Sequence, residues 1–401
     1  MTTERLSDGA EVTSGSVEDE QDEQDERAGG EAMREASLGR PEPEQPLRAL
    51  PAQLIETDQG VILKRGVTTV SVTGDGAYGV VQRVLAATEH GATREEIRQF
   101  FALPDHQAVD ALVEQLVARR ILVPDGEQWA PGGQSESSLE LFWWNFGRRP
   151  EPMAGQLDQR QLAVIGVNRI SRQLVAALAA TGVSNLAVVD YHLLRNIDLF
   201  DDLFDEAALR LTEPWPTPEH APLLYREWAT TLERNPPGCI VATSDFGGTQ
   251  IMREWNRFCV ERECHFLPVV LQDLIGYVGP LVVPGETACY ECLRARENSH
   301  MENPVMRRTA ERKAFEGQRV NGFHPSMASV LGDLAAMELT KLYSDLPQWR
   351  VGALIEVNLL VPSLVTRRVL KLPRCTVCGA MGRRVSPSLE TSPYLQQGFR
   401  G

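Results

Sequence analysis

Apolar positions recur along this chain with two different periods, and the switches between them outline its organisation. From residue 52, "AQLIET", "GVILKR" and "VTTVSVTG" are short β-prone runs broken at Asp58, Gln59 and Gly60 and again at Gly66, which predicts a three-stranded meander. The period then lengthens. Ala77, Val80, Val81, Val84 and Leu85 share one helical face, Thr93 and Glu96 have capping-box spacing, and Val109, Leu112, Val113, Leu116 and Val117 predict a third helix. "ILVPDGEQWAP" is expected to return as a small hairpin.

After "GGQSES", a linker by composition, "LELFWWNFG" is aromatic enough to dock on an apolar surface. From Gln161 strands and helices alternate. "LAVIG", a helix, "LAVVD", a helical region near 205–211, "GCIVATSD", a helix near 248–262 and "HFLPVVL" predict a parallel sheet with helices on both faces. A long helix from Pro325 to Tyr343 is expected to bury Met327, Val330, Leu331, Leu334 and Met337. "ALIEVNLL" and "LVTRRVLKL" read as a final hairpin, and no internal repeat is evident.

Charge changes the picture only at the front. Net charge is −15, and residues 1–48 carry 14 acidic and 5 basic residues. This stretch has little apolar surface to bury and is expected to be a solvated tail. No basic stripe suggests a nucleic-acid partner; the third helix instead presents Gln107, Asp110, Glu114 and Gln115, whose carboxylates would repel phosphates. No apolar run reaches the roughly 20 residues of a membrane span, so no membrane partner and a cytoplasmic location are expected.

The strongest chemical signal is cysteine spacing. "PGETACYECLRA" and "LPRCTVCGAM" place Cys289, Cys292, Cys375 and Cys378 as two C-x-x-C turns, the ligand set of a tetrahedral zinc. Four thiolates would leave no open coordination position. Such a zinc is structural, contributes about 10 kcal/mol to folding, and does no chemistry. A redox dithiol would need only one pair. Cys239, Cys259 and Cys264 read as buried thiols, and His265 and His324 as packing or capping residues.

The "QLAVIGVNRISRQL" turn, "TSD" after the third strand of the alternating region, P-G-x-x-x-C-x-x-C and the late C-x-x-C-G together resemble the ThiF-like superfamily of adenylating enzymes over residues 158–385. With a small winged-helix-like module in front, the chain more narrowly resembles the leader-binding partners of YcaO cyclodehydratases, which form azoline rings in ribosomally made peptides. The resemblance implies an α/β fold: a Rossmann-like ThiF-type domain with a structural zinc, preceded by a peptide-recognition module. The expected organisation is an acidic tail (1–48), the recognition module (49–130), a linker (131–157), the ThiF-like domain (158–385) and a C-terminal tail (386–401).

In adenylating members, turn glycines admit ATP, and an acid, an asparagine and a later aspartate hold ribose, phosphates and magnesium. Gly166, Asp190, Asn196 and Asp245 match these positions. Asn168 and Ser171, however, replace glycines, and Leu199 and Phe200 stand where Arg-Gln is expected. ATP is therefore not an expected cofactor, and the chain is expected to be non-catalytic. The implied partners are a precursor leader peptide and a separate YcaO-type cyclodehydratase, with a homodimer as a further expected assembly. The leader is expected to add to a strand edge at Val67, Thr68, Thr69, Val70, Ser71 and Val72, with Val109, Leu112 and Val113 walling the groove beside it. The alternatives are an ATP-dependent adenylating enzyme acting on a peptide or carrier C-terminus, and a winged-helix DNA-binding regulator.

Overall fold

The structure is a computed structural model that describes residues 45–125, 137–148, 150–203, 205–232, 234–313, 322–344, 346 and 352–379. The acidic tail up to residue 44 and the expected C-terminal tail lie outside these. The chain divides into two compact units, one ending at Arg149 and the other beginning at Pro150.

In the first unit, β1 (Leu47–Ala49) precedes the meander β2 (Gln53–Thr57), β3 (Gly60–Arg65) and β4 (Thr68–Thr73), which pair antiparallel in that order. Helices α1 (Ala77–Ala87), α2 (Arg94–Arg98) and α3 (His106–Ala118) follow, and α2 opens with the expected Thr93/Glu96 capping box. Alternation explains how the sheet meets the helices. Val61 and Leu63 of β3 and Val70 of β4 point inward onto Val81, Val84, Ile97 and Leu116. After α3, β5 (Leu122–Pro124) supplies the first strand of the expected hairpin and pairs antiparallel with the distant β1. The segment that would supply the second hairpin strand lies outside the described residues.

The stretch expected as a linker contains helices. In α4 (Ser138–Asn145), started by a Ser137/Glu140 capping box, Trp144 packs with Leu50 and Val123 under the Arg65 guanidinium, 4.5 Å from the ring centre. The aromatic run thus docks on the first unit itself.

The second unit begins with α5 (Pro150–Asp158), then β6 (Leu162–Ile165), α6 (Arg169–Ala180), β7 (Leu186–Asp190), β8 (Leu223–Leu224), α7 (Tyr225–Ala229), β9 (Cys239–Ser244) and α8 (Thr249–Glu261). It continues with β10 (His265–Gln272), β11 (Ile275–Val278), α9 (Tyr290–Ser299), α10 (Pro304–Lys313), α11 (Pro325–Tyr343), β12 (Ala353–Asn358) and β13 (Ser363–Arg368). The eight strands run β13-β12-β11-β10-β9-β6-β7-β8, parallel from β10 to β8 and antiparallel from β10 to β13. Because the parallel strands are covered on both faces they are almost wholly apolar. One face packs α6 and α11 through Leu174, Leu178, Leu331 and Leu339; the other packs α7 and α8 through Trp228, Trp255 and Phe258.

Two expectations are corrected. Residues 205–211 form turns and an isolated bridge, Phe200 to Leu211, rather than a helix. In α11 the buried face is Met327, Ala328, Leu331, Ala335 and Leu339, while Val330 and Leu334 are half-buried and Met337 is exposed. Small alanines let α11 pack closely on α6, so the buried stripe follows them rather than the larger side chains. His324 caps α11, accepting from the Ser326 N–H, and His265 hydrogen-bonds Tyr343 at 2.7 Å.

Candidate functional site

The turn from β6 into α6 is where a mononucleotide-binding fold would receive phosphate, because a helix N-terminus offers amides that lack intrahelical partners. Gly166 sits at φ +105°, and a Cβ there would lie 2.7 Å from the Thr243 carbonyl oxygen, so glycine is required. Asn168, buried completely, then turns its side chain onto the helix end. Its Oδ1 accepts from the Ile170 and Ser171 N–H groups at 3.1 Å each, and its Nδ2 donates to the Leu194 carbonyl and to both oxygens of Thr243. The Arg169 N–H goes to Asp245 Oδ2 and the Arg172 N–H to the Asn168 carbonyl. All four leading amides of α6 are therefore taken by the chain itself. Ser171 Oγ completes the closure, donating to the Asn168 carbonyl and accepting from the Asn168 N–H.

Asp190, at the end of β7, is similarly engaged. Its two oxygens take Nε and Nη2 of Arg195 at 2.9 and 2.6 Å, with both side chains 1 % exposed. Arg195 also donates to the carbonyls of Asp202, Leu203, Asp205 and Ala208 and lies 4.4 Å over the Phe200 ring. Those contacts claim carbonyls that a helix over 205–208 would need, and no helix forms there. Leu199 and Phe200 are core residues. Arg195, adjacent to the matched Asn196, was not singled out by the sequence; its signal is an arginine five residues after a strand-ending aspartate.

Asn196 and Asp245 do come together. Asn196 Nδ2 donates to Asp245 Oδ2 at 2.8 Å, but Asp245 Oδ1 is buried with no partner among the described residues, and burial pushes its carboxyl up to about 6. It lines a cavity of about 220 Å³ with Phe246, Leu271, Asp273 and Phe323.

The four cysteines converge from the start of α9 and from the chain beyond β13. Their Sγ atoms all lie within 4.8 Å of one another, with Cys289 to Cys375 at 3.6 Å, Cys289 to Cys292 at 3.8 Å and Cys292 to Cys378 at 3.5 Å. A tetrahedron of sulfurs about 2.3 Å from one zinc has edges near 3.8 Å, so the cluster has the size the ion needs. Backbone N–H groups of Leu372 and Val377 point at Cys292 and Cys375 sulfur, as thiolates require. Gly379 belongs to this turn: a Cβ would strike the Cys375 carbonyl oxygen.

In the first unit, β4 is an edge: among the described residues only β3 pairs with it. Thr68, Val70 and Val72 face the sheet's inner side, and Thr69, Ser71 and Thr73 are exposed. The strand begins one residue later than expected. Val67, 83 % exposed, belongs to the turn, its N–H donating to Asn145 Oδ1. Val109, Leu112 and Val113 do not form an open groove wall: all three are buried in the unit's core, because the apolar face of α3 is the face that packs inward. On the other face, Asp110 makes a two-point pair with Arg98 and Glu114 pairs with Arg94.

No protein-family model matches the sequence, and no curated protein matches it. Solved structures do. E. coli MccB with ATP aligns with a TM-score of 0.56 at 15 % identity, covering 83 % of this chain and 99 % of that one. The microcin C7 biosynthetic enzyme MccB in complex with N-formylated MccA gives 0.58 at 14 %, covering 83 % and 100 %. A heterocyclase in complex with substrate and cofactor gives 0.51 at 19 %, covering 84 % of this chain but 40 % of that one. At this identity the likeness is one of architecture: the chain has the MccB-like α/β fold.

Proposed function

We propose that this chain binds the leader of a ribosomally made precursor peptide and presents it to a separate YcaO-type cyclodehydratase, without activating ATP itself. The observation that carries the reading is the uncharged edge β4, which among the described residues pairs only with β3. Natural edge strands are usually guarded by charge, proline or a covering element, and the opposite edge, β2, carries Glu56. A bare edge with threonine and serine on one side suits an extended peptide that adds a fourth strand. Three strands followed by three helices is the element order of a winged-helix-like recognition module. Solved relatives in fold that hold a peptide, MccA, or work as a heterocyclase support the same class of chemistry.

The closed α6 turn supports a non-catalytic body. A phosphate arriving there would have to displace Asn168 from five hydrogen bonds. Zinc on Cys289, Cys292, Cys375 and Cys378 fastens the end of the second unit to α9 and leaves no position for substrate.

A second reading, adenylation, draws on the unpartnered Asp245 Oδ1 and the small cavity beside it, and on the ATP complex of MccB. One pair of measurements separates the two. Fluorescence anisotropy with a labelled leader from a precursor encoded beside this chain should show saturable binding that Thr69→Pro weakens at least about tenfold, and pyrophosphate exchange should be absent. Exchange that Asp245→Ala abolishes would establish adenylation instead.

A further inference from the structure

The register of the front meander fixes which backbone groups of β4 are free. In the β3–β4 ladder Val61 faces Val72, Leu63 faces Val70 and Arg65 faces Thr68. Just beyond it the Gly74 N–H donates to the Gln59 carbonyl, its opposite in the same register, so that pair is a hydrogen-bonded one. Bonded pairs alternate along an antiparallel ladder, which makes Val72, Val70 and Thr68 the residues of β4 that bond to β3. The other end agrees. Gly66, at φ +54°, and Val67 form a two-residue turn, and such turns close on a bonded pair, here Arg65 and Thr68. The N–H and C=O groups of Thr69, Ser71 and Thr73 therefore point to the edge, where no described strand pairs.

Side chains alternate with the same period. The three residues with free backbone groups set a row of hydroxyls on the exposed face, while Val72, half-buried, lies on the face that α1 packs against. Lys64 is the one charged side chain among the described strand residues of the exposed face, and it stands cross-strand from Thr69. A strand added beside β4 lies two strand spacings, about 10 Å, from β3. A lysine and an acidic side chain together close that gap over a threonine.

We infer that the leader segment read here is an alternating strand that carries an acid. Its backbone bonds to Thr69, Ser71 and Thr73, every second side chain is apolar and lies beside Val72, and an acidic side chain among the others, opposite Thr69, pairs with Lys64. The inference rests on leader capture at β4 and adds what the leader must carry. Backbone bonds alone accept any sequence. The apolar positions decide which face of the leader turns inward, and Lys64 favours an acid over a base at one position, which sets the register.

The test measures amide exchange of the full chain residue by residue, by NMR, with the leader of a precursor encoded beside this chain. Without leader, Thr69, Ser71 and Thr73 should exchange fast and Thr68, Val70 and Val72 slowly. Saturating leader should slow the first three at least about tenfold. Aspartate placed in turn at each leader position should weaken binding at least about tenfold at every second residue of the bound segment, and about twofold or less between them. Lys64→Glu, at an exposed position, should weaken the leader about fivefold, and lysine at one acidic leader position should restore affinity for this variant. A leader that does not bind, or that slows exchange only in the second unit, removes the capture reading and this inference with it. Slowed exchange at β4 together with an aspartate scan lacking the period of two, or with no leader lysine that rescues Lys64→Glu, overturns this inference and leaves capture at β4 standing. So does fast exchange at Thr68, Val70 and Val72 with slow exchange at the residues between them in the free chain.

Discussion

Asp190 and Arg195 close on each other in a two-point ion pair that water does not reach, and Arg195 in turn gathers four carbonyls of the segment that follows. An aspartate at the end of the second strand of an α/β unit is well placed to hold a ribose. Here its oxygens are spent on the fold.

Removing one partner of such a pair leaves a buried charge uncompensated, which costs about 3–5 kcal/mol. Arg195→Met should therefore lower stability by that amount, read as a drop in urea midpoint. Asp190→Leu together with Arg195→Met should recover part of it. Equal losses in the single and double variants would show that the carbonyl contacts of Arg195, not the ion pair, hold this region.

Asp245 gives the chain a pH signature. Its carboxyl titrates at about 6 when folded and near 4 when unfolded, so the folded state holds the proton more tightly. The stability this confers is full below about pH 4 and is lost as pH rises through about 6. Asp245→Asn keeps acceptors for Arg169 and Asn196 but has no charge to bury. It should be more stable than the parent by about 3 kcal/mol above pH 7, with the gap shrinking below pH 6. A variant that is equally or less stable at every pH would contradict this assignment.

The cysteine cluster predicts about one equivalent of zinc in protein purified without chelator. Cys375→Ser, or prolonged chelation, should lower the melting temperature of the second unit and expose thiols to titration. Metal-free protein with four freely titrating thiols and an unchanged melting profile would remove zinc from the account.

How legible all this was depended on the range of each interaction. The β6 run, the α6 period and the four cysteines are local patterns, so they could be read although the cysteine pairs lie 82 residues apart in the sequence. Asn168 was readable as a lost glycine. Its role as a plug was not, because its amide partners, Leu194 and Thr243, are 26 and 75 residues away. Helical spacing placed Val109, Leu112 and Val113 on one face of α3 without telling a groove wall from a core. Packing against β3 and α1 decided for the core. The 205–211 segment failed for a similar reason: its carbonyls are claimed by Arg195, whose reach no local pattern records.

The account rests most heavily on β4 as the strand that a leader extends. Hydrogen–deuterium exchange of the full chain, with and without saturating leader peptide, addresses it directly. Binding should slow exchange of the amides across Thr68–Thr73 and leave the α6 amides, already satisfied internally, unchanged. Protection confined to the second unit, or none at β4 with leader demonstrably bound, would contradict the account.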